Sequence, residues 1–370
     1  MIKNFSEILD RKNQSEFIKD YIDLKKQHPN SILFFQLGSF FETFFEDAKL
    51  LSEIFGVALG SRKVVGDEIL QAGVSLSAIK TYVKELLNRG YKVCVCSEQK
   101  DETGRIERKL SRIYTQGTVV ESEFLDTFEN NFLMAIYKYK NDYFLSYADV
   151  STGQFYKTVC DYETIRHEIY KILPNELLIC ENQKDIFQDF IKKFNVNFLD
   201  ERYFSKNIEK TILKYCAQMQ MDYMVEFDDI ISYIPQQYMF MDEITRRNLE
   251  LTRTKRYLKK KGSLMWFLNN TKTPMGARLL KKYISEPLMN LKEIKKRQNA
   301  ISELVENLPL QKKLDKLLVD FCDISRACAD MTNSTISPRD LYLMVKNAQK
   351  ITDLRDILCM FKSPLLKINK

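Results

Sequence analysis

Phe34-Phe35-Gln36-Leu37-Gly38-Ser39-Phe40-Phe41-Glu42-Thr43-Phe44-Phe45-Glu46-Asp47-Ala48 is the stretch on which the reading of this chain turns. Residues 31–37 are short, apolar and aromatic, which predicts a strand. Gly38-Ser39 punctuates it, and glycine permits a tight turn. From 40 to 55 the apolar residues Phe41, Phe44, Phe45, Ala48, Leu51, Ile54 and Phe55 fall at helical spacing, so a helix is predicted there. The stretch therefore puts an aromatic ring, Phe40, at a strand-to-helix corner, with a carboxylate, Glu42, two residues on.

Outward from this corner, residues 15–27 show helical spacing until His28-Pro29-Asn30 breaks it. Residues 77–89 read as a helix stopped by Gly90, and 91–96 as a strand. Residues 1–122 thus form a mixed α/β region. A second α/β region spans 125–235. There 131–137, 143–150 and 154–159 read as consecutive strands, with Ser151-Thr152-Gly153 as a turn, followed by a helix at 162–173 and a strand at 176–180. From 236 to 370 the chain turns helical, with helices predicted over 244–261, 273–284, 291–307 and 310–333. Another begins at Ser337-Pro338, with Pro in its first turn. The fold class is α/β plus all-α.

Composition bounds the function. Apolar residues at 45% allow a sizeable core, while 11 Gly and 8 Pro favour long helices. Apolar runs fall far below the ~18 residues of a spanning helix, and the N-terminus has no apolar signal core, so a cytoplasmic protein is expected. The eight cysteines have no framework spacing, and two distant histidines do not suggest a metal site; free thiols are expected. The net charge is +7, but residues 240–300 hold 16 Lys and Arg against 5 Asp and Glu. That segment therefore carries +11 and the remainder −4. Such asymmetry points toward nucleic acid, or toward a basic solvated helix face.

The Phe40–Glu42 pair has two readings. By periodicity alone an aromatic at a helix start belongs to the core. The alternative is a wedge: proteins that test DNA structure push apolar side chains between base steps and kink the duplex. Mispaired bases unstack more cheaply than paired ones, so a wedge can discriminate through deformation energy.

The stretch resembles the signature of the MutS family of DNA mismatch repair proteins, a Gly-acidic-Phe-Tyr-Glu-Leu-Phe run followed by acidic-Asp-Ala. The likeness continues in family order through His28-Pro29, Gly73 in Leu70-Gln71-Ala72-Gly73-Val74, Gly90-Tyr91-Lys92-Val93 and Glu98-Gln99. It runs on through residues 106–118 and Asp149-Val150-Ser151-Thr152-Gly153. Further on it includes Asp242-Glu243-Ile244-Thr245-Arg246-Arg247, Thr273-Pro274-Met275-Gly276-Ala277-Arg278 and Ile336-Ser337-Pro338-Arg339-Asp340-Leu341. Departures are Ser39 for the acidic residue, Phe41 for Tyr, Thr43 for Leu, Gln116 for Pro, and Ser75-Leu76-Ser77 where the family has Pro-Tyr-His.

The resemblance implies a mismatch-binding domain at 1–122, a ribonuclease-H-like connector at 125–235 and the start of a helical lever and core region at 236–370. It implies that Phe40 stacks on a mispaired base and Glu42 hydrogen-bonds to it. Arg62, Lys63, Arg108 and Lys109 are candidate phosphate contacts. Implied partners are duplex DNA with mismatches or small loops, a MutL-type protein on the connector, and a second copy in a full-length form. DNA binding would place the protein at the nucleoid. The family ends in an ATPase, but G-x-x-x-x-G-K-[ST] is missing and no Gly-Lys pair occurs, so ATP and Mg²⁺ belong to a domain this chain lacks. No cofactor, catalytic residue or metal site is expected within it. Two alternatives stand beside this reading. One is a MutS relative that binds DNA structures in recombination. The other is a metal-dependent nuclease on the second region, built around Asp149 with Asp142, Glu163 or Glu168.

Overall fold

A computed structural model describes residues 2–3, 5, 16–64, 67–100, 106–220, 227–332 and 335–367. The chain divides into two compact units, 1–119 with 215–223, and 120–214 with 224–370.

The first unit holds β1 (Ile2–Lys3), α1 (Glu16–Gln27), β2 (Ser31–Leu37), β3 (Phe40–Phe44), α2 (Phe45–Phe55), β4 (Gly60–Val64), β5 (Asp67–Ser75), α3 (Ile79–Asn88), β6 (Lys92–Lys100) and β7 (Ile106–Tyr114). The strands form one sheet in the order β1-β5-β3-β2-β6-β7, with β4 also on β5. The helix predicted from residue 40 begins only at Phe45. Residues 40–44 are instead a strand paired antiparallel on both sides, Phe40 opposite Leu37 of β2 and opposite Ser75 of β5. All five residues pair with β5, and Phe40–Glu42 pair with β2 as well, a ladder that outweighs a helical spacing the same aromatics also fit. The change of direction falls on Phe45, whose φ of +56° is unusual for a side chain this large.

Aromatic burial holds this corner. Phe34, Phe35, Phe44 and Tyr21 are fully buried, and the Tyr21 ring meets Phe44 edge-on at 5.0 Å. At the centre lies a buried carboxylate, Asp47 of α2. It accepts from the Lys25 ammonium at 2.8 Å, the Tyr21 hydroxyl at 3.1 Å and the Leu33 amide at 3.0 Å. The Phe44 amide in turn donates to the Tyr21 hydroxyl at 3.3 Å. One side chain thus joins α1, β2 and the corner.

The second unit opens with β8 (Phe132–Tyr139), β9 (Asp142–Asp149) and β10 (Gln154–Cys160), an antiparallel meander. Next come α4 (Tyr162–Ile172), β11 (Glu176–Cys180), α5 (Gln188–Ile191), β12 (Val196–Leu199), α6 (Glu209–Gln220), whose residues from 215 on belong to the first unit, and β13 (Ile231–Ser232). The order is β12-β11-β8-β9-β10-β13, with β11 parallel to β8 and β12 parallel to β11. The three consecutive strands expected over 131–159 form this meander, and β11 and β12 extend it as parallel strands, which makes the region mixed α/β as expected. The helix α4 covers a core of Met134, Ile136, Leu145, Ile165, Ile169 and Leu177.

Helices α7 (Glu243–Asn248), α8 (Leu264–Leu268), α9 (Pro274–Ser285), α10 (Leu291–Glu306), α11 (Leu308–Leu318), α12 (Ile324–Thr332) and α13 (Pro338–Leu358) complete the unit. Two predicted helices are shorter or broken. The one expected over 244–261 ends at Asn248, and Glu250 and Leu258 take positive φ. Leu249, Tyr257 and Leu258 stay exposed, so no packed face sustains a longer helix. The one expected over 310–333 splits near Asp320, whose φ is +59°. The break seats Asp323 for a two-point pair with Arg278 of α9, 2.9 Å at one arm. Arg326 of α12, nearly fully buried, donates to the carbonyls of Asp126 (2.7 Å) and Glu129 (2.6 Å) and to the Ser151 hydroxyl (3.2 Å). These two arginines fasten the helices to the sheet's leading loop and to the β9–β10 turn.

No described helix is long and apolar enough to cross a membrane. The cysteines are free thiols; burial pushes Cys94 up to about 11 and Cys96 up to about 12, whereas Cys328 is exposed.

Truncating Asp47 to Ala leaves the largely covered Lys25 ammonium with the Ser31 carbonyl but without its counter-charge, and leaves the Leu33 amide without its acceptor. Urea denaturation should show a loss of about 3–5 kcal/mol. A loss below about 1 kcal/mol would mean that Lys25 reaches water and the carboxylate is dispensable.

Candidate nucleic-acid interface

The hairpin of β2 and β3 turns through Gly38-Ser39 alone, since Leu37 faces Phe40 across the ladder. Gly38 has φ +59°, and a Cβ there would meet nothing within 4 Å. Glycine is therefore favoured at this position by backbone conformation and not by crowding.

Strand alternation sorts the aromatic run onto two faces. Phe41 and Thr43 point one way and are buried. Phe40, Glu42 and Phe44 point the other. Along that second face burial grades from tip to base. Phe44 is 0% exposed under α1, Glu42 is partly covered, and Phe40 at the tip is 51% exposed. The core reading offered by periodicity fits Phe41, Phe44 and Phe45; Phe40 lies outside that core.

Glu42 lies beside Gly73 of β5, directly across the ladder. A Cβ at Gly73 would come within 3.3 Å of the Glu42 Cγ, so glycine there makes room for the carboxylate to lie over the sheet. Arg62 of β4 approaches Glu42 at 3.5 Å and rests its guanidinium 4.6 Å from the Phe17 ring centroid. Burial raises the Glu42 carboxyl above the usual range, and Arg62 offsets only part of that rise.

The other candidate cations differ among themselves. Lys63 is exposed on β4, opposite Glu68. Lys109 pairs at the surface with Glu107 at 2.7 Å. Arg108 turns inward to Glu98 at 2.8 Å, with both side chains largely covered. Residues 106–114, legible in the sequence as a motif likeness but not as secondary structure, form the edge strand β7. Gly73's neighbourhood with Glu42 and the Gln36–Glu98–Arg108 contacts at the turn were not foreseen. Glu98 and Gly73 were visible only as motif residues.

Asp149 is fully buried and its carboxylate is occupied by its own turn and by the segment ahead of β8. It accepts from Asn130 (2.8 Å), the Asn131 amide (3.1 Å), and the amide and hydroxyl of Ser151 (3.0 and 2.6 Å). Glu168 instead accepts from the Tyr233 hydroxyl at 2.6 Å and pairs with Lys171. Among the described residues no three His, Cys, Asp or Glu side chains are grouped to hold a metal ion. Nothing in this geometry favours the nuclease alternative.

Models of three protein families match the chain in succession: MutS domain I over residues 15–123, MutS domain II over 131–225 and MutS domain III over 244–369. The chain is 32% identical over 397 residues to the DNA mismatch repair protein MutS of Clostridioides difficile (strain 630), covering 97% of this chain and 41% of that protein. It is 32% identical over 382 residues to the protein of the same name from Clostridium novyi (strain NT), covering 95% and 42%. For Caldanaerobacter subterraneus subsp. tengcongensis the figures are 31% over 389 residues, 95% and 44%. The chain spans less than half the length of these curated relatives.

The burial gradient along β3 sets a stability contrast. Phe40→Ala should cost about 1 kcal/mol or less, and Phe44→Ala about 3–5 kcal/mol. Equal losses in paired urea titrations would return Phe40 to the core.

Proposed function

We propose that this chain, which belongs to the MutS family through its domains I, II and III, senses mispaired or unpaired bases in duplex DNA by inserting Phe40 and engaging the displaced base with Glu42. The observation that carries this reading is the pairing of an exposed aromatic and a desolvated carboxylate on one strand face, at the tip of a two-residue hairpin. An apolar side chain left half in water at such a tip gains by entering a base stack. Its backing is a paired sheet, so the hairpin can push without yielding.

Glu42 explains selectivity. A carboxylate facing DNA is repelled by phosphates, so it is retained at a gain only if it makes a specific bond. Burial already favours its neutral form, and nearby phosphates favour that form further. A protonated carboxyl has an O–H to donate to an acceptor on a displaced base. A well-paired duplex offers no displaced base, and only the cost remains. Lys63 and Lys109 are assigned to phosphates, Arg62 to both Glu42 and the backbone. A reading as a binder of recombination structures lacks any comparable use for the Phe40–Glu42 pair. Docking of a MutL-type protein on 125–235, and pairing of two full-length copies, rest on the family resemblance.

Competition binding with matched and mismatched duplexes at one low salt concentration tests the assignment. Phe40→Ala should lose the mismatch preference with no rise in matched-duplex affinity. Glu42→Ala should raise matched-duplex affinity and cut the preference by about 1–3 kcal/mol. An unchanged preference in Glu42→Ala would falsify the role of that residue.

The pH dependence has a fixed sign. Binding raises the Glu42 pKa, so a proton is taken up. Mismatch affinity should then fall as pH rises from the free-protein value through the bound value, and flatten beyond it. Glu42→Gln, which cannot titrate, should remove that slope; a slope surviving in this variant would assign the proton elsewhere.

ATP turnover is not assigned to these residues. Purified chain should show none above background with or without DNA, and a DNA-stimulated rate that persists through repurification would overturn this.

A further inference from the structure

The ladder between β2 and β6 ends at Phe35 opposite Cys96, two residues short of the turn. Beyond it, side chains take over. The Glu98 amide donates to the Gln36 carboxamide oxygen at 3.0 Å, and the Gln36 amide nitrogen donates to the Gly38 carbonyl at 3.2 Å. The Gly38 amide donates to one oxygen of Glu98 at 3.3 Å. The other oxygen accepts from Arg108 at 2.8 Å, and Arg108 Nε also reaches the Gln36 carbonyl at 3.4 Å. Glu98 and Arg108 face each other across β6 and β7 and are each less than one-fifth exposed.

We propose that Glu98 is a positioning residue for mismatch discrimination: clamped by Arg108, it holds the Gly38 amide and so fixes the hairpin tip that carries Phe40. Arg108 then acts through this clamp and not as a phosphate contact. The inference rests on the wedge reading above. Its physical basis is stiffness. A wedge that bends aside when pressed against stacked bases spends the same energy on paired and mispaired sites, so discrimination is lost. A bare carboxylate at a DNA-facing tip would also be repelled by phosphates; pairing with Arg108 removes that charge while leaving the second oxygen to hold the turn.

The test uses the full 370-residue chain with Glu98→Ala, Glu98→Gln, Arg108→Ala and Phe40→Ala, each checked for folding by circular dichroism. Two readouts are taken: amide hydrogen exchange of residues 37–40 without DNA, and competition of mismatched against matched duplex across a salt series. Glu98→Ala should speed exchange at the turn roughly tenfold and lower the mismatch-to-match ratio about fivefold or more, with matched affinity within about twofold. Glu98→Gln keeps an acceptor for Gly38 and should retain most of the ratio. Arg108→Ala should follow Glu98→Ala with an unchanged salt slope; if Glu98→Ala does not fold, this variant carries the test.

Unchanged exchange in a folded Glu98→Ala would overturn the clamp without reference to DNA. Faster exchange with an intact ratio, in a protein whose ratio Phe40→Ala destroys, would overturn its role in discrimination. Arg108→Ala weakening both duplexes equally, with a salt slope smaller by about one, would make Arg108 a phosphate contact after all. If Phe40→Ala itself leaves the ratio intact, the wedge reading fails. The role of Glu98 in discrimination falls with it, whatever the exchange shows.

Discussion

The carboxylate of Asp47 is the interaction on which the first unit depends. It is taken out of water, a cost that only close partners can offset, and it finds three in Lys25, Tyr21 and the Leu33 amide. Two of these partners lie on α1 and the third on β2, while Asp47 itself belongs to α2. Satisfying one side chain therefore fixes where α1 crosses the sheet, where β2 enters it and where α2 begins. Tyr21 extends the network to the Phe44 amide and buries its ring against Phe44 and Phe35. The corner can then hold Phe45 at positive φ, because the surroundings leave the chain no other route.

From that anchored base the sheet runs outward to a tip with a different character. Burial falls from Phe44 to Glu42 to Phe40 along a single face. The buried end supplies rigidity, and the exposed end supplies an aromatic and a carboxyl of raised pKa. Gly38 and Gly73 do complementary things here. The first accepts a left-handed turn, and the second withholds a Cβ so that Glu42 can lie across the neighbouring strand. Under the proposed reading this geometry gives the motif shared with MutS domain I a physical account.

In the second unit the same logic is carried by arginines. Arg326 satisfies two loop carbonyls and a serine hydroxyl from a nearly sealed position, and Arg278 pairs with Asp323. A guanidinium suits such junctions because its planar donors point in several fixed directions at once. Asp149, the carboxylate around which a metal site was conceivable, is held by four donors, two from Ser151 in its own turn and two from Asn130 and Asn131 ahead of β8.

The sequence by itself determined much of this protein. The three successive regions, the apolar strand before Gly38-Ser39, the meander around Ser151-Thr152-Gly153 and the helix starts at Thr273 and Ser337 are local signals, written in turn residues, caps and periodicity. The Phe-x-Glu pair was legible as a motif. Only the tertiary structure decided that residues 40–44 are a strand, because Phe41, Phe44 and Phe45 fit either period and the choice lay with β2 and β5 on its two edges. The same holds for β7, whose Glu107, Arg108 and Lys109 hide the alternation, and for the inward turn of Arg108 toward Glu98. Gln36 and Glu98 lie 62 positions apart, and Arg108 is farther still from the turn. No local pattern marks such contacts, because a hydrogen bond between distant residues forms only when the sheet has already brought their strands together.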